Sequence, residues 1–196
     1  MSYHCAAQTR QKLMEAVNAL AQEKGLESIT VRDICERSGI SNGSFYHHFS
    51  SKEALIRHAY LETDHWMTPE LLKSCDALPP LEGLLAFLEA YLGYVENELG
   101  PVIKEYYILL MKDNASAAFC ADRPYVREIS RRLAICRNAG KISQRYKLGR
   151  LALFTVRFVQ GCILNWCVEG TDFCLVDGFR KYSGLFLDGI CGKAEA

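Results

Sequence analysis

Apolar residues recur along this chain with helical spacing, and no stretch alternates convincingly as a strand would. Between Thr9 and Lys24, residues Leu13, Val17, Leu20 and Ala21 fall on one helix face, and Gly25 reads as the C-cap that follows. Thr30, with Asp33 three positions on, predicts an N-cap, and Val31, Ile34 and Cys35 form a short apolar stripe behind it. Ser38-Gly39 is a turn signal, after which Ser41 opens a second short helix to about His48. Ser50-Ser51-Lys52-Glu53 predicts another start, for a helix from about Lys52 to Asp64. A breaker-rich segment follows, with Pro69, Pro79 and Pro80. From Leu81 to Leu99 the residues Leu81, Leu84, Leu85, Leu88, Leu92, Val95 and Leu99 share one stripe, and Gly100-Pro101 is expected to end that helix. Further helices are expected from Val102 to Met111, from Asp122-Pro124 to Asn138 before Gly140, from a Ser143 cap to about Glu169, and from about Phe173 to Leu187. The expectation is an all-α chain of about nine helices.

Composition narrows the options. The chain has 196 residues, and its 23 basic and 23 acidic side chains cancel, so a nucleic-acid surface would have to be local. Nine cysteines are widely spaced, odd in number and without a CxxC pair, which argues against a disulfide framework. The opening residues, MSYHCAAQTRQK, have no apolar core of a secretory signal. The apolar runs read as broken by charge before the roughly 18 residues of a membrane span. These features predict a cytoplasmic protein with reduced thiols, most of them small core residues, and no membrane association. There is no nucleophile elbow, phosphate loop or metal-ligand cluster, so neither enzyme chemistry, a cofactor nor a metal is expected.

The densest signal lies between Thr30 and Phe49. Two short helices joined at Gly39 have inward residues Ile34, Cys35, Ile40 and Phe45, which can hold the pair at the steep angle of a helix-turn-helix. The second helix presents Ser41, Asn42, Gly43, Ser44 and His47, small or hydrogen-bonding groups suited to a major groove. Thr30 and Lys52 stand at helix N-termini, where phosphate is favoured, and the Tyr46 phenol can donate to a phosphate oxygen. Through residue 60, seven cations face six carboxylates, a margin of +1, so affinity would rest on placed contacts and on two copies. His47 and His48 are adjacent and cannot both face a groove.

Residues 9 to 60 resemble the N-terminal domain of the TetR family of transcriptional regulators. The resemblance is carried by Thr30-Val31-Arg32-Asp33-Ile34, Gly39-Ile40-Ser41, Gly43-Ser44-Phe45-Tyr46 with Phe49, and Ser51-Lys52-Glu53 with Leu55. Cys35 and Ser38 stand where alanine is commoner, and both are similarly small. The resemblance implies a helix-turn-helix DNA-binding domain over residues 1–54 and a helical ligand-binding and dimerisation domain over 55–196. It implies DNA-backbone contacts from Thr30, Ser41, Gly43, Tyr46 and Lys52, with Asn42, Ser44 and His47 for bases. The implied protein is a homodimer on double-stranded, palindromic operator DNA, acting as a repressor and controlled by a small molecule.

Beyond residue 55 no motif is as dense. Trp66, Tyr91, Tyr94, Tyr106, Tyr107, Phe119, Phe154, Phe158 and Trp166 could line a cavity for an apolar or aromatic effector, although aromatic stripes on helices are more often core. Leu151, Thr155, Cys162, Phe179, Tyr182 and Phe186 on the last two helices are expected at the dimer interface. Two rival readings remain: a helical small-molecule-binding protein or enzyme without specific DNA binding, and an interaction protein whose DNA module works only with a recruited partner.

Overall fold

Four helices, those starting at Val31, Asn42, Lys52 and Pro69, begin where a nearby hydroxyl caps them. The structure, a computed structural model, describes residues 3–61, 66–113, 123–170 and 173–192. Among these are ten α-helices and no strand: α1 (Tyr3–Lys24), α2 (Val31–Ser38), α3 (Asn42–His48), α4 (Lys52–Leu61), α5 (Pro69–Asp76), α6 (Pro80–Tyr94), α7 (Gly100–Asp113), α8 (Pro124–Asn138), α9 (Leu148–Glu169) and α10 (Leu175–Cys191). A 3₁₀ turn, Leu26–Ser28, follows α1, and a π turn, Val95–Leu99, joins α6 to α7.

Four departures from the periodicity have local causes. The proline-rich stretch contains a helix, α5, because the Thr68 hydroxyl accepts the N–H of Leu71 at 3.2 Å and Pro69 takes the first helical position, where its missing N–H is not needed. Gly100-Pro101 does not end the helical path: the widened π turn comes first, and Pro101 falls in the first turn of α7, which tolerates it. Ser143 is not the cap of α9. Its hydroxyl accepts the Arg145 N–H at 3.1 Å and its own N–H donates to Ile190 O at 3.0 Å, so the segment turns against α10 and α9 starts at Leu148. Finally, α10 starts at Leu175 and runs to Cys191, with the Glu96 carboxylate accepting the Leu175 N–H at 3.1 Å.

The chain divides into two compact units, residues 1–63 with 98–115, and residues 64–97 with 116–196. A cut at residue 54 marks where the motif ends in sequence, whereas packing groups α4 and α7 with it. In the first unit α1 packs on α2, α4 and α7, and α2 on α3. Its interior holds Tyr106 together with Leu13, Val17, Ile34, Phe45, Leu55 and Ile56, these six each worth about 1.5–3 kcal/mol when fully buried.

In the second unit α6 packs on α5, α8 and α10, and α9 on α8 and α10. Helices α6 and α8 are antiparallel: Tyr91 meets Tyr125, Gly83 O accepts from Arg132, and Pro80 O accepts from the Cys136 thiol. Among the described residues α9 is the one helix long and apolar enough to cross a membrane, yet half of that window is buried inside the unit. Leu151, Val156, Val159, Ile163 and Trp166 account for its apolar side. Cys35, Cys75, Cys136 and Cys167 are buried.

Candidate nucleic-acid interface

The first functional side chains are held by bonds three residues long. Thr30 is extended (φ −101°, ψ 161°), and its hydroxyl accepts the Asp33 N–H at 3.2 Å. In return Asp33 Oδ2 accepts the Thr30 N–H at 2.7 Å, which completes a capping box at the start of α2. Those bonds, led by the Thr30 backbone N–H and helped by Lys24 at 3.2 Å, pull the Asp33 carboxyl from 3.8 down to about 2. Helix α2 ends at Gly39, whose left-handed backbone (φ 68°, ψ 19°) suits glycine and turns the chain into α3. Ser41 then caps α3, accepting the Ser44 N–H at 3.2 Å.

Phe45 is the anchor of α3. It is fully buried beside Phe49, with ring centroids 6.0 Å apart, and its fixed position decides which face α3 shows to solvent. That face carries Ser41, Asn42, Gly43, Tyr46 and His47, all exposed; Tyr46 is 58% exposed. Ser44 is half-buried. His47 points outward while His48 is half-buried, near Phe49 at 6.4 Å. Burial, followed by the charges of His47 and Arg10, holds the His48 pKa below its ordinary value, so this ring is a poor cation at neutral pH.

Gly43 has no structural reason to be glycine. It lies within α3, its φ is not positive, and a Cβ built there would meet nothing within 4 Å. Glycine weakens a helix relative to alanine by about 0.5–1 kcal/mol. A small residue that the fold does not require, on the exposed face of a helix, fits close approach by an external body.

The charged groups around the motif are mostly paired with one another. Arg37 makes a two-pronged pair with Glu23, Arg32 pairs with Glu36 at 2.8 Å, and Lys24 with Asp33. Lys52, expected at a phosphate, instead donates to the carbonyls of Leu26 and Ile29, each at 3.0 Å. Its ammonium ties the start of α4 to the 3₁₀ turn, a role its sequence position did not reveal.

The nine aromatics expected around a cavity fall into separate groups. Trp66, Tyr91 and Tyr94 do cluster, joined by Phe87 of α6 and Tyr125 of α8, neither of which the stripe or the aromatic roster included. Tyr106 and Tyr107 lie on α7, in the first unit, with their ring centroids 6.0 Å apart. Phe154 and Phe158 stack on Phe186 of α10, and the Trp166 indole donates to Phe173 O at 2.9 Å. Phe119 lies outside the described residues.

The interface residues expected on α9 and α10 are also redistributed. Leu151, Thr155, Phe179 and Phe186 are buried in their own unit, because they lie on the helix faces turned to the core. The exposed apolar residues are instead Phe154, Leu164, Val168, Tyr182 and Leu185. Cys162 and Tyr182, with Gly161, border a groove of about 620 Å³ between the two helices. Spacing separates Leu164-Val168 and Tyr182-Leu185 from the buried Ile163-Trp166 and Phe179-Phe186, but it does not say which set faces inward.

Comparison with known proteins agrees with this geometry. Residues 13–59 match the family described as bacterial regulatory proteins, tetR family. A segment is 32% identical over 98 residues to the HTH-type transcriptional repressor KstR2 of Mycolicibacterium smegmatis, covering 50% of this chain and 48% of that one. The match thus spans about half the length of that relative. The uncharacterized HTH-type transcriptional regulator YfiR of Bacillus subtilis is 26% identical over 193 residues, covering 94% of this chain and 92% of its own. Among solved structures, the Thermus thermophilus FadR, a TetR-family repressor in complex with lauroyl-CoA, superposes with a TM-score of 0.68 at 20% identity, covering 95% of this chain and 98% of that chain.

Proposed function

We propose that the chain, whose residues 13–59 match the tetR family of bacterial regulatory proteins, is a transcriptional repressor that binds palindromic operator DNA as a homodimer and is released by a small molecule. The observation that carries the reading is α3: a helix anchored by buried Phe45, with an exposed polar face and a glycine at position 43 that the fold does not need. Asn42, Ser44 and His47 face base edges in the major groove. Ser41, Gly43, Tyr46 and Thr30 lie along the sugar-phosphate backbone, and Lys52 supports them by holding α4 to the preceding turn. Two copies are needed, because one motif offers little unpaired positive charge.

The dimer forms through the outer faces of α9 and α10. Val168 is 76% exposed and Leu185 71% exposed, and with Phe154, Leu164 and Tyr182 they make an apolar surface that a second copy would cover. An apolar or aromatic effector binds inside the second unit and acts by favouring one of two arrangements of the reading helices. The protein works in the cytoplasm, where the operator lies and thiols stay reduced. FadR is a precedent in this fold for an acyl-CoA complex, and it does not identify the ligand here.

The test is fluorescence anisotropy with labelled duplexes from the region upstream of the gene, against a scrambled duplex of equal length. Specific, salt-dependent binding is expected. Tyr46→Phe should weaken binding to every sequence, whereas Asn42→Ala should relax preference at particular base pairs by about 1–3 kcal/mol. Equal affinity for scrambled and upstream DNA would overturn the reading.

A further inference from the structure

The two tryptophans of the second unit differ in one respect. Trp166 is satisfied, its indole N–H donating to Phe173 O at 2.9 Å. Trp66 is only 9% exposed, yet its Nε1–H has no hydrogen-bond partner. A buried donor left unpaired is costly and rare, and each instance calls for a reason.

The surroundings of Trp66 are aromatic. Phe87 lies 5.2 Å away, Tyr91 5.4 Å, Tyr94 6.1 Å and Tyr125 6.4 Å between ring centroids. Trp66 and Tyr94 are nearly parallel, 20° apart, and the Trp66 N–H points along the plane of its ring, past the edge of that stack. Arg132 places a guanidinium 5.0 Å from the Phe87 centroid, and it disfavours a cationic guest. Its charge is already matched by Glu128 at 2.9 Å and Asp76 at 3.2 Å, so it has little left with which to hold an anion.

Resting on the reading that the second unit binds an effector, we propose that the effector is a flat, uncharged aromatic compound bearing a carbonyl oxygen, seated against Trp66 with that oxygen accepting the Nε1–H bond. The rings supply apolar area, and the guest meets the edge of the Trp66 indole, where the N–H points. The orphaned N–H supplies selectivity, because a guest lacking an acceptor leaves the donor unpaired as before. The rings are packed together in this structure, so binding must select or create an arrangement in which they part. That requirement is what lets occupancy report to the rest of the protein.

Acetophenone and α-methylstyrene are suitable probes, since they share a flat shape and differ in carrying C=O or C=CH₂. Calorimetric titration of the full chain and of Trp66→Phe gives the ratio of the two affinities in each protein. The acetophenone preference should fall roughly tenfold on removing the indole N–H, the size of one hydrogen bond. In ¹⁵N-labelled wild-type protein, acetophenone should shift the Trp66 indole resonance and leave that of Trp166 in place, and α-methylstyrene should shift the Trp66 N–H far less. This second measurement decides the matter even if Trp66→Phe folds poorly. An unchanged affinity ratio in a folded Trp66→Phe protein, or no saturable binding of acetophenone at millimolar concentration, would overturn the proposal. Specific operator binding that persists in the same samples would show that the regulator reading survives its failure.

Discussion

Replacing Gly43 with alanine should make the protein more stable and a worse DNA binder. The added methyl meets nothing within 4 Å in the protein, and the backbone there is helical, so no strain opposes it. The gain from removing glycine inside a helix is about 0.5–1 kcal/mol. For a unit of this size that raises the melting temperature by roughly 2–8 °C. Against DNA the same methyl would intrude on a close-packed contact, and overpacking of this kind costs about 1–3 kcal/mol. Affinity should then fall between about fivefold and 150-fold for each reading helix engaged. Thermal unfolding by circular dichroism measures the first effect, and anisotropy titration on an upstream duplex at fixed salt measures the second. Opposite signs in the two assays are the signature of a residue kept small for an external partner. A less stable Gly43→Ala protein would mean that the fold itself needs glycine. Unchanged affinity would mean that α3 does not approach DNA closely at this position. Either result would refute the reasoning.

Three further outcomes follow from the same geometry. Asp33 has its pKa depressed to about 2 by the Thr30 cap and Lys24, so its contribution to stability is present above its ordinary value of 3.8 and is lost as pH falls from about 4 toward 2; Asp33→Asn should lower the melting temperature at neutral pH and flatten its decline over that acid range. Lys52→Met removes the donor that links α4 to the carbonyls of Leu26 and Ile29, and should cost about 1–3 kcal/mol in urea denaturation; an unchanged salt slope of DNA binding would confirm a supporting role, and a slope reduced by about one would indicate a direct phosphate contact. Leu185→Glu places a charge on the exposed apolar face of α10 and should leave the helical content intact while shifting the protein to monomer in analytical ultracentrifugation, with a matching loss of operator affinity.

Features set by neighbours a few residues apart were legible in the sequence. The capping box of Thr30 and Asp33, the left-handed turn at Gly39 and the Ser41 cap all close within three or four residues. Their chemistry is therefore written in adjacent letters, and the helix-turn-helix with its outward Asn42, Gly43 and Tyr46 could be read directly. The helical fold as a whole was legible for the same reason, since periodicity records which face of each helix avoids water.

Periodicity does not record what lies opposite that face. The cap of α10 comes from Glu96, 79 positions away from Leu175, and Lys52 reaches back 26 and 23 positions to Leu26 and Ile29. The sequence offered a roster of aromatics, but only packing gathered Trp66, Tyr91 and Tyr94 into one cluster and put Phe154 against Phe186 instead. Likewise, Leu151 and Phe179 are apolar in the same way as Leu164 and Leu185, and only the placement of α9 and α10 against their unit made the first pair core and the second pair surface. A helix carries apolar groups on more than one side at the same cost to itself, so the choice of which side is buried belongs to its neighbours in space.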